Sequence, residues 1–522
     1  MIVRSPEPPI EVPDVPLTQL LLERANALGD KPALIDGPSG RTYTYAQFAA
    51  AVRAAAAGFA RRGLFKGDVL AIFSPNLPEY AIAFHGAALI GGIVTTINPL
   101  YTAAELTYQL KDAGAKFLIT VGPFLDKARE AAAECGLRET FVFGEAEGAT
   151  PFASLLASGG TLPPVDIDPG EDLVAMPYSS GTTGLSKGVM LTHRNLVANI
   201  LQSRAAFDAL SGDDRVLAIL PFFHIYGLVV VLNLGLHMGT TIVTLPRFEM
   251  ESFLKAIQDY RITYGYVVPP IVLGLAKHPL VDKFDLKSLR VMFSGAAPLG
   301  AELAGAASAR LGIRVLQGYG LTETSPVTHC VRVGSAVTGA GSVGQPIPNT
   351  EAKVVDVATG AELGPGQEGE LCMRGPQVMK GYLNRPDATA AMIDEDGWLH
   401  SGDIGHFDEH GSFFIVDRVK ELIKYKGLQI APAELEALLV SHPAVADAAV
   451  IPVPDDEAGQ VPKGFVVLKG QATPDEIMAF VAERVAPFKR LRSLDVIEQI
   501  PKSPSGKILR RLLVDKERAA RT

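Results

Sequence analysis

The chain has 522 residues, of which 48% are hydrophobic and 20% are charged. This length exceeds what one hydrophobic core organises, so we expect a folded protein of several structural units. Length and composition together exclude both a disordered chain and a disulfide-stapled mini-protein. The formal net charge is −9, from 48 Lys and Arg against 57 Asp and Glu, which argues against nucleic acid as a partner because phosphate backbones require clustered cations.

The cysteine pattern indicates a reducing compartment. Cys135, Cys330 and Cys372 are far apart, odd in number and without CxxC spacing, so neither a disulfide framework nor a structural zinc site is predicted. The first 16 residues contain acidic residues and several prolines where a signal peptide would have a basic start and an apolar run. We therefore predict a cytoplasmic protein.

An uncharged stretch at residues 216–246 is the main candidate for a membrane span, since it is longer than the roughly 20 apolar residues that cross a bilayer. Pro221, His224, Asn233 and His237 interrupt it. Buried strands and helices of a large α/β core also form continuous apolar runs. We therefore predict core segments here and no membrane span, with a membrane transporter as the alternative.

In chain order, strand-like apolar runs alternate with Ala-rich helical patterns. This alternation predicts an α/β architecture with parallel strands and crossover helices. Capping boxes at residues 44–47 (TYAQ) and 102–105 (TAAE) predict helix starts, and Gly63 and Gly114 stand where those helices would end.

The sequence changes character after Asp417, where a Lys-rich stretch precedes a compact tail. Pro432 and a capping box at residues 473–476 predict helix starts, and apolar runs at 445–451 and 465–468 predict strands, so the tail is predicted to be α+β. We predict a large N-terminal multi-layer α/β domain at residues 1–417, a hinge at 418–420 and a small mobile α+β C-terminal domain at 421–522.

A loop rich in glycine and hydroxyl residues is the first candidate for chemistry. The run YSSGTTGLSKGV at residues 178–189 lies between two predicted strands, at 173–176 and 189–191. Glycines let backbone N–H groups converge on an anion and hydroxyls add donors, so the run predicts a phosphate-binding loop. The Walker spacing is not met, which argues against P-loop kinases and GTPases. The candidate phosphate-binding residues are Ser179, Ser180, Gly181, Thr182, Thr183, Gly184 and Lys187.

The same run resembles the signature loop of the adenylate-forming superfamily, which includes acyl-CoA synthetases, luciferases and peptide-synthetase adenylation domains. Further runs resemble that family's motifs in the family's order. They are PFFHIYG at 221–227, SGAAPL at 294–299, QGYGLTE at 317–323, WLHSGD at 398–403, VDRVK at 416–420, YKG at 425–427, PAE at 432–434 and PKSPSGK at 501–507. The His-Ile-Tyr element and KYKG at 424–427 look most like 4-coumarate–CoA ligases.

The resemblance implies an acyl-CoA synthetase-like fold and an AMP-forming acid–thiol ligase that uses ATP, Mg²⁺ and coenzyme A. It implies that Thr183 and Glu323 lie at the magnesium, that Asp403 and Arg418 contact the ribose, and that His224 lies between the acyl site and the thiol entry. Further positions implied for the nucleotide are Gln317, Gly318, Tyr319, Gly320, Thr322 and Lys424, with Thr182, Thr183 and Lys187 near the phosphates. Positions implied for coenzyme A are Arg247, Lys426 and Gly427, with Lys420 at the hinge.

Lys507 is the side chain on which the chemistry depends most. Joining a carboxylate to the α-phosphate of ATP brings two anions together, and one unit pair at about 4 Å repels by about 4 kcal/mol at an effective dielectric near 20. A lysine on a small mobile domain can stand between the two anions during adenylation and then withdraw. The resemblance places Lys507 in that role, and it implies a rotation that afterwards presents Lys426 and Gly427 to coenzyme A.

The acyl substrate is predicted from positions that resemble the pocket of 4-coumarate–CoA ligases. As we read the plant pattern, an Asn and a Lys stand where this chain has Val229 and Phe293, so recognition of a ring hydroxyl should weaken. We predict arylpropenoic acids of the coumarate or cinnamate type, with medium- or long-chain fatty acids as the alternative. The pocket positions are Tyr226, Val229, Phe293, Gly295, Ala296, Gly318, Tyr319, Val327 and Thr328.

Three further activities share the nucleotide motifs. An adenylating enzyme that loads a carrier protein would keep every ATP motif, and a luciferase-like oxygenase would share the first step. A non-catalytic nucleotide sensor should have lost a catalytic group, yet Lys507, Glu323 and Asp403 are all present. The sequence leaves the oligomeric state open, as monomer or homodimer.

Overall fold

The computed structural model describes residues 1–157, 161–179, 186–334, 341–418, 421–425, 428–455, 458–485, 487–503 and 506–521. Within those ranges, strands form four sheets and alternate with helices over most of the chain. The α-helices are Leu17–Leu28, Tyr45–Arg61, Pro78–Leu89, Ala103–Asp112, Leu125–Ala133, Ala153–Ala157, His193–Ala206, Leu234–Met238, Met250–Tyr260, Pro269–Lys277, Ala301–Leu311, Pro386–Met392, Pro432–Ser441, Pro474–Ala482 and Arg510–Arg521. The predicted α/β class is confirmed.

Two nine-stranded sheets of the described chain form the core of the large domain. The first contains, in spatial order, Tyr178–Ser179, Lys187–Thr192, Leu173–Ala175, Ile93–Ile97, Val69–Phe73, Ala115–Val121, Glu139–Phe143 and Thr150–Pro151, with Gly381–Tyr382 paired to Lys187–Thr192. The second contains Gln345–Pro346, Val327–Cys330, Arg314–Gly320, Val291–Ser294, Tyr264–Val267, Arg215–Ala218, Thr241–Thr244, Pro32–Asp36 and Thr42–Thr44. Their central strands are parallel and buried, as expected for sheets covered by crossover helices on both faces.

Two smaller sheets complete the described fold. A five-stranded sheet contains Val3–Arg4, Glu351–Val355, Gly369–Arg374, Leu399–Phe407 and Phe413–Arg418. The other contains Leu428–Ile430, Ile423–Tyr425, Gly459–Leu468 and Val445–Asp455, with Ser493–Val496 paired to Gly459–Leu468. This last sheet and the helices Pro432–Ser441 and Pro474–Ala482 share an apolar core of their own and form the small C-terminal α+β domain.

Local sequence signals account for several of the helix starts. The capping boxes of Thr44, Thr102 and Thr473 each form both reciprocal hydrogen bonds, as predicted. Gly63 and Gly114 follow the first two of these helices with φ of 84° and 64°, in the left-handed region where glycine carries no Cβ penalty. The predicted small-domain strands begin as expected or earlier, but Val445–Asp455 continues beyond Pro452 because it pairs along its length with Gly459–Leu468.

The uncharged stretch at 216–246 lies in the core. It forms the end of strand Arg215–Ala218, a π-helix at Tyr226–Asn233 that continues into Leu234–Met238, and the strand Thr241–Thr244. Among the described residues, no helix has the length and apolar character needed to cross a membrane. The prediction that this stretch forms buried strands and helices is therefore confirmed.

A contact between side chain and backbone joins the third sheet to the small domain. Asp417, at the end of strand Phe413–Arg418, accepts a hydrogen bond of 2.9 Å from the backbone N–H of Ala433. The helix Pro432–Ser441 has Ala431 at its N-cap and receives no capping bond from that residue. Asp417 therefore supplies the missing cap from outside the helix. The proposed boundaries at 417 and 421 stay a prediction.

Candidate active site

The parallel strands of the second sheet place several predicted motifs side by side. Tyr264–Val267, Val291–Ser294 and Arg314–Gly320 run parallel in consecutive pairs, so their carboxyl ends meet at one edge. In open α/β sheets, ligands bind outside that edge. We call the region bounded by Val268, Gly295, Gly318 and His224 the strand-end crevice. It brings together three motifs that are far apart in the sequence.

The segment that carries Lys507 packs against this crevice. The Ser503 N–H donates to the Lys507 carbonyl and the Gly506 N–H donates to the Ser503 carbonyl, both at 2.8 Å. A Cβ built on Gly506 would lie 3.3 Å from the Val268 side chain and 3.3 Å from the Pro270 ring, and φ of Gly506 is 80°. Only glycine fits this close approach without strain. The Lys507 segment therefore lies against the strand-end crevice, and the role of Lys507 beside the reacting groups stays a prediction.

His224 lies in the same crevice and is neutral at pH 7. Desolvation, and then the positive charge of Lys507, lower the pKa of His224 to about 4. Its Nδ1 accepts a 3.3 Å hydrogen bond from the backbone N–H of Tyr226, so the ring proton belongs on Nε2. His224 can therefore offer an N–H donor in the crevice, whereas Lys507 supplies the positive charge.

This assignment predicts a pH dependence of stability. Because the pKa of His224 falls from 6.5 to about 4 on folding, its contribution to stability is complete above pH 6.5 and is lost as the pH falls towards 4. We expect the free energy of unfolding of the natural chain to decrease more between pH 7 and pH 5 than that of His224→Gln. Denaturant titrations at both pH values measure this difference, and equal decreases would contradict a neutral His224.

Glu323 contacts Tyr382, which in turn lies close to Lys187. Its side chain is buried, and Oε1 accepts a 2.8 Å hydrogen bond from the Tyr382 hydroxyl. The Lys187 ammonium lies 5.2 Å from the centre of the same tyrosine ring, within the range of a cation–π contact. Burial and the Glu323 carboxylate raise the pKa of Tyr382, which keeps its hydroxyl protonated as a donor. The phosphate-loop lysine and the predicted magnesium carboxylate are thus joined through Tyr382.

Tyr382 was not singled out from the sequence. It becomes visible only because Gly381–Tyr382 pairs antiparallel with Val189 and Met190, at the end of the run predicted to bind phosphate. The sequence signal that could have found it is weak: a Gly-Tyr pair that follows Met379 and Lys380. The Met379 N–H donates to the Glu323 carbonyl at 2.8 Å, which fixes the distance between the two segments.

Asp403 lies on the other side of the site, in the third sheet. It is buried and accepts a 2.6 Å hydrogen bond from the Tyr319 hydroxyl. It is also the direct cross-strand neighbour of Arg418. The two residues that resemble ribose-binding positions therefore lie side by side, next to the tyrosine that follows the Gln317-Gly318 pair.

The predicted acyl-site residues form a continuous series of contacts. A Cβ on Gly295 would lie 3.0 Å from the Tyr226 ring, and one on Gly318 would lie 2.6 Å from the Phe293 ring. The Tyr226 hydroxyl donates to the Phe293 carbonyl at 3.0 Å, and the Thr328 hydroxyl donates to the Tyr319 carbonyl at 3.2 Å. Both hydroxyl groups are thus engaged with backbone.

Three more acyl-site predictions fall in the same region. Val229 lies in the π-helix that begins at Tyr226, and Val327 pairs with Gly320 across the antiparallel strands. Ala296 has φ of 70°, a left-handed conformation that is costly for a residue with a Cβ. Such backbone outliers concentrate at functional sites because the surrounding structure holds them in place.

For the remaining predicted residues, the structure gives fewer contacts with the rest of the candidate site. Gln317 Oε1 accepts the Leu299 N–H at 3.2 Å, Thr322 opens the 3₁₀ helix Thr322–Thr324, and Ser179 pairs with Lys187. Lys424 and Arg247 are exposed, Lys424 on the small domain. The predicted residues that lie outside the described residues are Ser180, Gly181, Thr182, Thr183, Gly184, Lys420, Lys426 and Gly427, together with the side chain of Arg418.

Comparisons with known proteins identify the family of this chain. The family model described as "AMP-binding enzyme" matches residues 21–383, and the "AMP-binding enzyme C-terminal domain" matches residues 434–507. The chain is 45% identical to 4-coumarate–CoA ligase 2 of Petroselinum crispum over 522 residues, covering 98% of this chain and 96% of that protein.

Two solved structures share the fold over nearly the whole chain. ATP-bound MatB from Rhodopseudomonas palustris is 29% identical with a TM-score of 0.87, covering 96% of this chain and 99% of that one. The anthranilate CoA ligase AuaEII in complex with anthranoyl-AMP is 25% identical with a TM-score of 0.89, covering 97% and 98%. On the extent of these matches, the chain belongs to the AMP-binding enzyme family, as an adenylate-forming ligase similar to 4-coumarate–CoA ligases.

Proposed function

We propose that this protein is an ATP-dependent acid–CoA ligase. In the first half-reaction, a carboxylate oxygen attacks the α-phosphorus of ATP, giving acyl-adenylate and pyrophosphate. In the second, the thiol of coenzyme A attacks the acyl carbon, giving the thioester, AMP and a proton. The observation that carries the proposal is the packing of the Lys507 segment against the strand-end crevice. The resemblance to named 4-coumarate–CoA ligases over 98% of the chain supports the same reaction class.

The proposal assigns a role to several of the predicted side chains. Asp403 accepts hydrogen bonds from the ribose hydroxyls, Lys187 binds phosphate, and Lys507 reduces the repulsion between the two reacting anions. His224 donates its Nε2–H near the acyl carbon. Glu323 and Thr183 are the residues that would hold Mg²⁺, since carboxylate and hydroxyl oxygens suit it and it supplies charge neutralisation for the phosphates.

The acid substrate is proposed to be an arylpropenoic acid without a ring hydroxyl. Val229 and Phe293 are apolar and buried, and the hydroxyls of Tyr226 and Thr328 are already bonded to backbone carbonyls. A buried ring hydroxyl without a partner costs about 1–3 kcal/mol. We therefore propose that cinnamate is used in preference to 4-coumarate, with medium- or long-chain fatty acids as the second candidate because the same apolar lining suits them.

A substitution at Val229 tests this assignment. Val229→Asn adds one amide to the π-helix wall, so we expect the ratio of kcat/KM for 4-coumarate to that for cinnamate to rise at least about fivefold, as one gained hydrogen bond predicts. Val229→Ala is the matched control, because it changes size at the same position without adding a donor. An equal rise in both variants would attribute the effect to space and contradict the polar argument.

A substrate screen tests the proposed function as a whole. Pyrophosphate release and hydroxamate formation are measured with aromatic and aliphatic acids, with and without coenzyme A. With cinnamate, we expect acid-dependent pyrophosphate release both with and without coenzyme A, and a thioester product only with coenzyme A. Adenylate formation without a thioester would favour the carrier-protein alternative, and oxygen-dependent product loss would favour a luciferase-like oxygenase. The prediction of a cytoplasmic enzyme is tested separately, by cell fractionation.

A further inference from the structure

Three side chains of different chemistry meet on one face of the third sheet. Glu370 and Cys372 are two residues apart on strand Gly369–Arg374, so both project to the same face. Cys372 is paired directly with His400 of strand Leu399–Phe407. The Cys372 Sγ lies 3.4 Å and the Glu370 Oε2 lies 3.0 Å from His400 Nδ1. Sheet register therefore brings a thiol, a carboxylate and an imidazole together.

These spacings are close to those of a tetrahedral metal site. With Zn–S near 2.3 Å and Zn–N or Zn–O near 2.0–2.1 Å, neighbouring ligand atoms lie about 3.3–3.6 Å apart. The three candidate atoms of Glu370, Cys372 and His400 all lie within 4.8 Å of one another. Side-chain shifts of about 1 Å or less would bring the three atoms to the tetrahedral spacing around one ion. A thiolate and a carboxylate would balance the charge of a divalent ion.

A fourth side chain supports the imidazole from the other side. The His400 Nε2 lies 3.5 Å from Asp394 Oδ2. Metal-binding histidines commonly donate their second ring nitrogen to a carboxylate, which fixes the ring and its tautomer. The side chains of His400 and Glu370 are 33% and 18% exposed, whereas Cys372 is buried. The cluster thus has three candidate ligands and an orienting acceptor, and two of the three ligand side chains are partly exposed.

We propose that Glu370, Cys372 and His400 form a binding site for Zn²⁺ or a similar borderline divalent ion, with Asp394 as the acceptor that orients His400. This site is distinct from the proposed magnesium site, because magnesium prefers oxygen ligands and does not select a thiolate. On binding, the thiol proton of Cys372 passes to solvent and the sulfur bonds the metal, while the ring proton of His400 lies on Nε2 towards Asp394 so that the Nδ1 lone pair bonds the same ion. Burial raises the pKa of Cys372 to about 12, so losing that proton lowers the affinity below that of a preformed thiolate site.

The site is connected to the proposed ribose carboxylate. Glu370 Oε1 accepts a 2.9 Å hydrogen bond from the Gly402 N–H, so it remains available when Oε2 binds a metal. Gly402 immediately precedes Asp403, whose N–H donates to Ser401 Oγ at 3.0 Å. A bound ion would therefore stiffen the turn that presents Asp403.

Cobalt titration of the metal-free full-length protein tests the proposal. Co²⁺ bound to a thiolate gives a sulfur-to-metal charge-transfer band in the near ultraviolet, which oxygen and nitrogen ligands alone do not give. We expect one equivalent of Co²⁺ to produce this band and one equivalent of Zn²⁺ to remove it. Cys372→Ala should abolish the band, whereas Cys135→Ser, which changes a cysteine on the first sheet's side of the molecule, should keep it.

Two further variants separate the metal site from ordinary packing. Asp394→Asn should keep the band and the stoichiometry but weaken Co²⁺ affinity by about 10–100-fold. His400→Gln, at a partly exposed position, should abolish tight binding and retain the natural far-ultraviolet circular dichroism spectrum, which also covers the case that Cys372→Ala fails to fold. Absence of the band in the natural protein, or its persistence in folded His400→Gln with unchanged affinity, would overturn the proposal and leave a hydrogen-bonded cluster only.

Discussion

Lys507→Ala is expected to slow acyl-adenylate formation by at least about 100-fold, as for loss of one group that stabilises transition-state charge. The reason is that the Lys507 segment packs against Val268 and Pro270 and its charge reaches His224. Without the ammonium, no positive charge at this position reduces the repulsion between the carboxylate and the α-phosphate as they approach each other. Acid-dependent pyrophosphate release measures this half-reaction. Thioester formation from supplied acyl-adenylate and coenzyme A should remain close to that of the natural enzyme.

Lys502→Ala is the matched control for this prediction. Lys502 lies five positions before Lys507 in the same basic segment, and its ammonium binds Asp447 of the small domain at 2.6 Å. Removing it changes the net charge equally, so we expect adenylation to be largely retained. If the two variants lose adenylation equally, a general charge effect replaces the specific role of Lys507. If Lys507→Ala loses both half-reactions equally, the proposed two poses of the small domain are wrong.

Asp403→Ala is expected to lower kcat/KM for ATP by about 100-fold or more. A hydrogen bond to a charged group contributes about 1.5–3 kcal/mol, and one carboxylate can accept from both ribose hydroxyls. Asp403 is buried and held by the Tyr319 hydroxyl at 2.6 Å, so its position is fixed before ATP binds. Steady-state kinetics with ATP varied at saturating acid measure the effect.

Deoxy-nucleotides make this prediction specific to the ribose. The natural enzyme should lose activity with 2′-deoxy-ATP or 3′-deoxy-ATP, whereas Asp403→Ala should discriminate little between these analogues and ATP, because the interacting partner is already absent. Tyr319→Phe keeps the carboxylate and removes only its hydrogen bond, so we expect a smaller loss of about tenfold or less. Unchanged discrimination in Asp403→Ala would show that another group reads the ribose.

The elements predicted most accurately are those whose signals are local. The capping boxes at Thr44, Thr102 and Thr473 depend on residues three positions apart, and each is confirmed. The helix that opens at Pro432 is confirmed in the same way, because proline at the first turn needs no partner elsewhere in the chain. Such interactions can be recognised before the fold is known.

Contacts between residues that are far apart in the sequence could not be predicted in this way. Tyr382 reaches Glu323 across 59 positions, and its role depends on an antiparallel pairing next to the phosphate loop. Cys372 and His400 are 28 positions apart and meet only through sheet register. The cysteine spacing argued against a structural zinc site because it reports neighbours along the chain, whereas a mixed ligand set can be assembled by two strands.

The cap that Asp417 provides to the helix Pro432–Ser441 bears on the proposed rotation of the small domain between the two half-reactions. An N-cap side chain contributes about 1 kcal/mol, which corresponds to about a fivefold change in an equilibrium. In an enzyme whose small domain rotates about the neighbouring residues, a bond that forms in one orientation acts as a weak latch. Natural variation at this single carboxylate would then change the fraction of enzyme molecules that rest in each orientation, without altering any atom that touches a substrate.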